Sequence, residues 1–306
     1  MKYEVRHLTE YAYSEPVSLS HHLVHLVPRS DNGQTTTRRE LTLTPLPAFR
    51  RERLDPFGNR AVYFSIEEPH RRLSVESQLE VTVPAPARPP LLFPATWESI
   101  RDRVTRERRA DVLEAYSYTF DSPHVRASRA LIAFASSSFR PGRPFLEAVM
   151  DLTRRIHDEL TYDPRATTVS TPVSQVLETR RGVCQDFAHL QIGCLRSLGL
   201  PCRYVSGYLL THPPPGRPRL VGSDASHAWV AVHLPDFGWV DFDPTNGLMP
   251  SDQHITVACG RDFGDVTPVR GVILGGGAHE LHVEVDVQPE GGDLLDSDGA
   301  ANDMTG

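Results

Sequence analysis

The sequence has almost no lysine. Thirty-one of its thirty-two basic residues are arginine, and Lys2 is the exception. Its own amine nucleophiles are therefore Lys2 and the α-amino group, at a terminus expected to be mobile. The arginine bias itself reads as compositional drift of a GC-rich genome. Cysteine is sparse too, with Cys184, Cys194, Cys202 and Cys259 as the full set. They form no C-x-x-C pair and match no zinc spacing, and a 306-residue chain needs no disulfide framework. Reduced thiols are expected, and a catalytic one is worth seeking. No uncharged run approaches the roughly 18 apolar residues that span a bilayer. MKYEVRHLTEYAYS lacks the apolar stretch of a secretory signal. These two absences predict a cytoplasmic address and no membrane partner. A formal charge of -7 argues against general affinity for nucleic acid, which needs a basic face.

What is present is an ordinary globular balance, 39% hydrophobic and 23% charged, which excludes a chain disordered throughout. The length is about twice a typical domain, so two domains are expected. Leu73, Val75, Leu79, Val81 and Val83 keep period two, as do Val62, Phe64 and Ile66, with a strong turn at Asp55-Pro56-Phe57-Gly58-Asn59. Residues 1–84 thus predict an amino-terminal β-sandwich. Pro84, Pro86, Pro89, Pro90 and Pro94 cannot form a helix or a central strand and mark a boundary. Residues 85–144 then read as a proline-rich linker and helical connection. The arginines between Trp97 and Ala115 are interrupted by Asp102 and Glu107, which suggests a solvated helix face. Phe145, Val149, Leu152 and Ile156 recur at helical spacing and predict an amphipathic helix ending near Tyr162-Asp163-Pro164, which opens a core over 145–288. Residues 289–306 carry Glu290, Asp293, Asp296, Asp298 and Asp303 without a basic residue, and read as a disordered acidic tail. Asp296-Ser297-Asp298-Gly299 lacks the further acidic ligands of a calcium loop.

The informative segment is Gly182-Val183-Cys184-Gln185-Asp186-Phe187-Ala188-His189-Leu190. Phe187, Leu190, Cys194, Leu195 and Leu198 follow at helical spacing, and Gly199 and Pro201 close the helix. Cys184 therefore starts a buried helix, where unpaired N–H groups and the positive end of the macrodipole favour a thiolate. An isolated cysteine would read as a small core residue. Two further segments change that reading. Ser226-His227-Ala228-Trp229-Val230-Ala231-Val232 is a strand opening on a histidine, and Gly238-Trp239-Val240-Asp241-Phe242-Asp243-Pro244-Thr245-Asn246-Gly247 a second one ending on an aspartate. The Pro235-Asp236-Phe237-Gly238 turn joins them as antiparallel neighbours. A thiol nucleophile needs a base, and the base needs a group that fixes its tautomer. Cys184, His227 and an aspartate supply these roles, and Asp241 and Asp243 share a strand face.

The runs GVCQDFAHL, LRSLGLPCRYVSGYL and SHAWVAVHLPDFGWVDFDPTNG resemble the bacterial transglutaminase-like superfamily of papain-like fold. Tyr13-Ser14-Glu15-Pro16-Val17, Pro28-Arg29 and Asp55-Pro56-Phe57-Gly58-Asn59 resemble the β-rich domain that precedes that core. The resemblance implies an α+β chain: an amino-terminal β-sandwich, then a papain-like transglutaminase core with the cysteine helix packed on an antiparallel sheet. It also implies Cys184 as nucleophile, His227 as general base and acid, and Asp243 as orienter, since the family's carboxylate directly precedes Pro-Thr. The backbone N–H of Cys184 is a natural oxyanion donor, with Gln185 and Tyr162 as weaker candidates for the second. Asp186 and His189 read as capping or packing residues, because positions 184, 186 and 189 do not share one helix face for a metal. Cys194 and Cys202 fit apolar patterns, Cys259 has no assigned role, and His21, His22 and His25 read as packing residues. No nucleotide, metal or flavin motif appears, so no cofactor is expected. The implied chemistry is acyl transfer from an amide or ester through a thioester, on a peptide or protein substrate. Hydrolysis, as in a protease or amidase, is favoured over transfer to an amine. A non-catalytic peptide-binding module is the rival class, opposed by the intact residue set.

Overall fold

The computed structural model describes residues 1–89, 93–210 and 226–290. The acidic tail beyond Glu290 lies outside the described residues, as does Pro90 of the linker. Five strands come first: β1 (Lys2–Val27), β2 (Thr35–Thr44), β3 (Phe49–Leu54), β4 (Arg60–Ile66) and β5 (His70–Thr82). Helices α1 (Trp97–Arg106), α2 (Ala110–Ser117), α3 (Arg129–Ser136) and α4 (Phe145–Glu159) follow. The core then continues through β6 (Thr161–Tyr162), α5 (Val173–Thr179), β7 (Arg181–Gly182), α6 (Cys184–Ser197), β8 (Cys202–Leu209), β9 (Ser226–Leu234), β10 (Gly238–Phe242) and β11 (His254–Gly260). A short helix α7 (Phe263–Val266) leads to β12 (Val269–Gly275) and β13 (His279–Pro289). The chain is α+β.

The expected amino-terminal β-sandwich takes the form of one curled antiparallel sheet. Its path is β2-β5-β1-β4-β3, with β12 and β13 also on β1. The 26 residues of β1 serve both halves. Lys2 to Ala12 pair with β5 and Tyr3 to Tyr13 with β13, whereas Val17 to Val24 pair with β12 and Ser20 to Val27 with β4. The sheet bends where the pairing changes, and the two halves close on Val17, Val24, Leu43, Phe64, Ile66, Leu73 and Val75. Alternation along each strand shows which face is buried but not which strands are neighbours. Residues 269–288, expected from the sequence to belong to the core, instead complete the sheet of β1. Lys2 is likewise fixed within β1, with its Nζ 3.3 Å from Glu290, where a mobile terminus was expected.

The core sheet runs β10-β9-β8-β11, with α6 packed against β8 and β9. Helix α6 is buried nearly all round, as expected of a central helix, and Gly199 ends it in the left-handed region at φ +75°. The arginine-rich stretch breaks into two helices, and Arg103 and Arg109 both pair with Asp236 in the β9–β10 turn.

The two parts share one apolar cluster, in which Tyr3, Val5, Leu79, Val81 and Val287 meet Tyr208, Ile255, Val230 and the helices. Strand β11 is the edge of the core sheet, and an unpaired edge leaves its N–H and C=O groups unsatisfied. Two side-chain amides from the amino-terminal sheet cover it. Gln34 donates to Thr256 O at 2.8 Å and accepts from Thr256 N at 2.9 Å. Asn59 does the same at Cys259, at 2.7 and 2.8 Å. Gly207 of β8 marks a second close approach, since a Cβ there would lie 2.1 Å from Ile255 O and 2.5 Å from the Trp229 ring. A methyl at that point overpacks the sheet, at a cost of about 1–3 kcal/mol.

Because β12 and β13 flank β1, a chain ending at Pro268 is expected to lose the protease resistance of its first 84 residues. A stable, resistant 1–84 fragment in limited proteolysis would show instead that this segment folds alone.

Candidate active site

Cys184 is the first residue of α6, and the lead-in is pinned from three sides. Strands β6 and β7 pair in parallel, so Thr161 lies beside Arg181 and Tyr162 beside Gly182. Asp186 turns back to accept the Val183 N–H at 2.8 Å and the Thr167 hydroxyl at 2.6 Å, satisfying a donor of the open first turn. Gly182 makes this possible, since a Cβ there would come within 2.7 Å of the Asp186 carboxylate. Burial raises the pKa of Asp186, and the two hydrogen bonds oppose that shift. Asp186 is thus a helix-capping residue, as expected. His189, one turn on, accepts the Phe263 N–H at 3.1 Å through Nε2. Its burial drives its pKa to about 3, so it is a neutral packing residue beside His124 and Tyr204. Cys184, Asp186 and His189 accordingly serve separate purposes.

The four thiols are not alike. Cys194, Cys202 and Cys259 are fully buried, and burial raises each of their pKa values, that of Cys202 to about 11. Cys184 is only half-buried. His227 stands at the start of β9, opposite Gly207 and near enough to Cys184 for the thiol to raise its pKa. The Nε2 of His227 lies 2.8 Å from Asp243 Oδ2, so Nδ1 takes no part in that bond. Burial lowers the pKa of His227, but the hydrogen bonds and charges of Asp243 and Cys184 prevail and raise it to about 10.

Asp241 and Asp243 do not compete for His227. Strand β10 ends at Phe242, and Asp243 turns away to bridge Leu248, with Asp243 N to Leu248 O at 2.8 Å. Asp241 stays in the strand and accepts the Trp229 indole N–H at 3.1 Å. Asp243 is buried and has hydrogen-bond partners throughout. Its Oδ1 accepts from Thr245 N at 2.9 Å and Asn246 N at 3.2 Å. Its Oδ2 takes His227, the Asn246 amide at 2.7 Å and His254 Nε2 at 3.2 Å. Burial opposes ionisation of this carboxyl, yet the donors outweigh it and hold it well below the usual carboxylate range. Trp229 lies tilted against His227 and edge-on to His254, so one ring packs against both histidines.

Among the described residues, His227, Asp243 and His254 bring their ligand atoms within 4.8 Å of one another. The donor set does not suit a metal. Ser251 N–H points at Nδ1 of His254 at 3.3 Å, whereas a metal on Nε2 requires Nδ1 to carry a proton and donate. The remaining sequence candidates fall outside the site or at its rim. Gln185 spends its amide on Val169 O at 3.2 Å. Tyr162 is half-exposed beside Cys184, and burial and the Cys184 charge raise its pKa. His21 pairs with Tyr63, His22 stacks on Phe64, and His25 lies 3.5 Å from Asp55, all within the amino-terminal sheet. Sequence reasoning missed His254, which follows no motif. Asn246 was visible only as a turn residue.

A group whose folded pKa is raised adds stability that is complete below its unfolded value and lost as pH rises through the folded one. For His227 the window runs from about pH 6.5 up to about 10. Histidine NMR is expected to show His227 protonated at neutral pH and titrating near 10, and Asp243→Asn should lower that midpoint. A midpoint near 6.5 in the unmodified chain would contradict this geometry.

Residues 3–82 match the family described as the bacterial transglutaminase-like N-terminal region, and residues 133–244 match the transglutaminase-like superfamily. An uncharacterized protein of Mycobacterium tuberculosis is 41% identical over 304 residues, covering 96% of this chain and 95% of its own length. A protein-glutamine gamma-glutamyltransferase of Pseudomonas aeruginosa is 30% identical over 128 residues, 36% of this chain and 19% of that one. The crystal structure of a candidate cysteine protease from Cytophaga hutchinsonii superposes with a TM-score of 0.74 at 22% identity, covering 94% of this chain and 90% of that one.

Proposed function

The chain belongs to the transglutaminase-like superfamily, and on that premise we propose that it is a thiol-dependent acyl-transfer enzyme using Cys184, His227 and Asp243. The observation that carries the reading is the position of His227, near enough to the half-buried thiol for Cys184 to raise its pKa, and hydrogen-bonded through Nε2 to a carboxylate kept charged by its own donors. In the first half-reaction the sulfur of Cys184 attacks the substrate carbonyl, its proton having passed to His227 Nδ1. The Cys184 backbone N–H, at the open start of α6, faces the developing oxyanion. The tetrahedral adduct collapses to a thioester, and His227 returns the proton to the departing amine. In the second half-reaction a new nucleophile gives its proton to His227, attacks the thioester and releases Cys184. Asp243 stays ionised throughout and holds the imidazole with Nδ1 towards sulfur.

Hydrolysis of amide bonds in a peptide or protein is the preferred reading. Water can resolve the thioester without a further binding site, whereas transfer to an amine needs one. Amine transfer is the second reading, and the match to a protein-glutamine gamma-glutamyltransferase over 128 residues favours it. The chain itself offers few amine acceptors. The Met1 ammonium donates to Val83 O at 2.6 Å, and Lys2 is paired with Glu290. Arginine cannot replace them, because its guanidinium stays protonated.

Peptide-library profiling with and without a primary amine tests the assignment. Cys184→Ala should abolish turnover with the fold intact. Asp243→Asn should cost orders of magnitude, up to about 10⁴-fold, and Asp241→Asn much less, since Asp241 serves Trp229. A tenth or more of the activity left in Cys184→Ala, or the reverse ranking of the aspartates, would contradict these roles.

The two fates of the thioester also separate. Under hydrolysis, product appears at the same rate whether or not an amine is added. Under amine transfer, an added amine is incorporated, while self-crosslinks stay scarce and confined to residues 1–2. Abundant isopeptides elsewhere in the chain would exclude this account of its amines.

A further inference from the structure

We propose that His254 is the positioning residue for Asp243, and that through it the amino-terminal sheet sets the geometry of the catalytic residues. The inference rests on the reading of Cys184, His227 and Asp243 as that machinery.

His254 stands at the start of β11 and is buried. Its Nδ1 accepts the Ser251 N–H at 3.3 Å, which leaves the ring hydrogen on Nε2, aimed at Asp243 Oδ2 at 3.2 Å. Trp229 packs edge-on at a centroid separation of 5.3 Å and restricts the ring from the other side. Asp243 lies just beyond the end of β10, in a tight turn that pairs only with Leu248. Its carboxylate is therefore placed largely by its donors. Three of these, the N–H groups of Thr245 and Asn246 and the Asn246 side-chain amide, belong to the same turn and move with it. His227 is the group being oriented. His254 is the donor that comes from a different strand, and so ties the carboxylate to the frame of the sheet.

That strand is itself held from outside the core. Strand β11 is an edge, its pairing with β8 slips between Thr256 and Ala258, and its outer side faces the amino-terminal sheet. Gln34 forms a two-way bond with Thr256, two residues after His254, and Asn59 forms another with Cys259. Tyr3 Oη donates to Asp252 O at 3.0 Å, two residues before His254. Three contacts from the amino-terminal part thus bracket His254, which besides His227 is the histidine that reaches Asp243 from a separate strand. The expected consequence is that the amino-terminal sheet affects the chemistry without touching substrate.

The test uses the full chain and iodoacetamide as the probe, since Cys184 is the one thiol that is not fully buried. The rate of Cys184 alkylation across pH and the NMR titration of His227 are read together. The ionisable groups facing His227 are Asp243, Cys184 and His254. His254→Phe keeps the ring and removes the donor. It should slow alkylation at neutral pH by about tenfold, by analogy with other supporting partners of catalytic groups, and lower the His227 midpoint. His254→Gln, which keeps a donor, should recover most of both. His254→Asn, whose amide falls short of Asp243, should resemble the phenylalanine variant and replaces it if that chain does not fold. Gln34→Leu should shift the same two readings in the same direction, by a few-fold, and add nothing in the His254→Phe background.

An unchanged midpoint and alkylation rate in folded His254→Phe or His254→Asn would overturn the proposal. Additive effects of Gln34→Leu and His254→Phe would refute the link to the amino-terminal sheet. Asp243→Asn is run in parallel: if it changes neither reading, the underlying assignment of Asp243 fails. If it changes both while the His254 variants change neither, the inference about His254 alone fails.

Discussion

The site depends on keeping one buried carboxylate charged. Removing an ion from water is costly, and such a group either becomes neutral or collects enough donors to stay ionised. Asp243 collects five, from His227, His254, the Asn246 side chain and the N–H groups of Thr245 and Asn246. Much of the surrounding architecture can be understood as the means of bringing these donors to one point. Strand β10 must stop at Phe242 so that the chain can turn over Asp243. Strand β9 must place His227 beside the helix that begins at Cys184. Gly207 must lack a side chain so that β8, β11 and Trp229 can close beneath them.

Much of this was legible in the sequence because its signals are local. The helix after Cys184 follows from the spacing of Phe187, Leu190, Cys194 and Leu195, and Gly199 marks its end. The buried strand at 228–232 and the turn at 235–238 are equally local. The choice between Asp241 and Asp243 was not legible from periodicity, because strand geometry puts both on one face. What separates them is that the strand ends between them, and only the motif before Pro-Thr suggested it. His254 was not legible at all. Its role depends on β11 lying two strands away from β9 across β8, a pairing that no local pattern encodes.

The same limit explains the amino-terminal part. Alternation from Leu73 to Val83 correctly gives a strand with one buried face. It does not reveal that β12 and β13, nearly two hundred residues later, return to flank β1. Nor does the turn at Asp55-Pro56-Phe57-Gly58-Asn59 reveal its second use. Asp55 accepts the N–H groups of Phe57 and Asn59 and also the Asn59 amide, which fixes the turn and orients that amide towards Cys259 in the core sheet. A boundary drawn at the prolines therefore separates stretches of sequence that are not independent in space.

The central claim is that Cys184 carries an acyl group between two nucleophiles. Its most direct test is to mix the protein with an activated acyl ester, quench in acid, and locate the added mass by peptide mapping. The account predicts one acyl group per chain, on Cys184 and released by hydroxylamine, and none on Cys194, Cys202 or Cys259. An acyl group carried on another side chain, or turnover of the ester with Cys184 never modified, would contradict it.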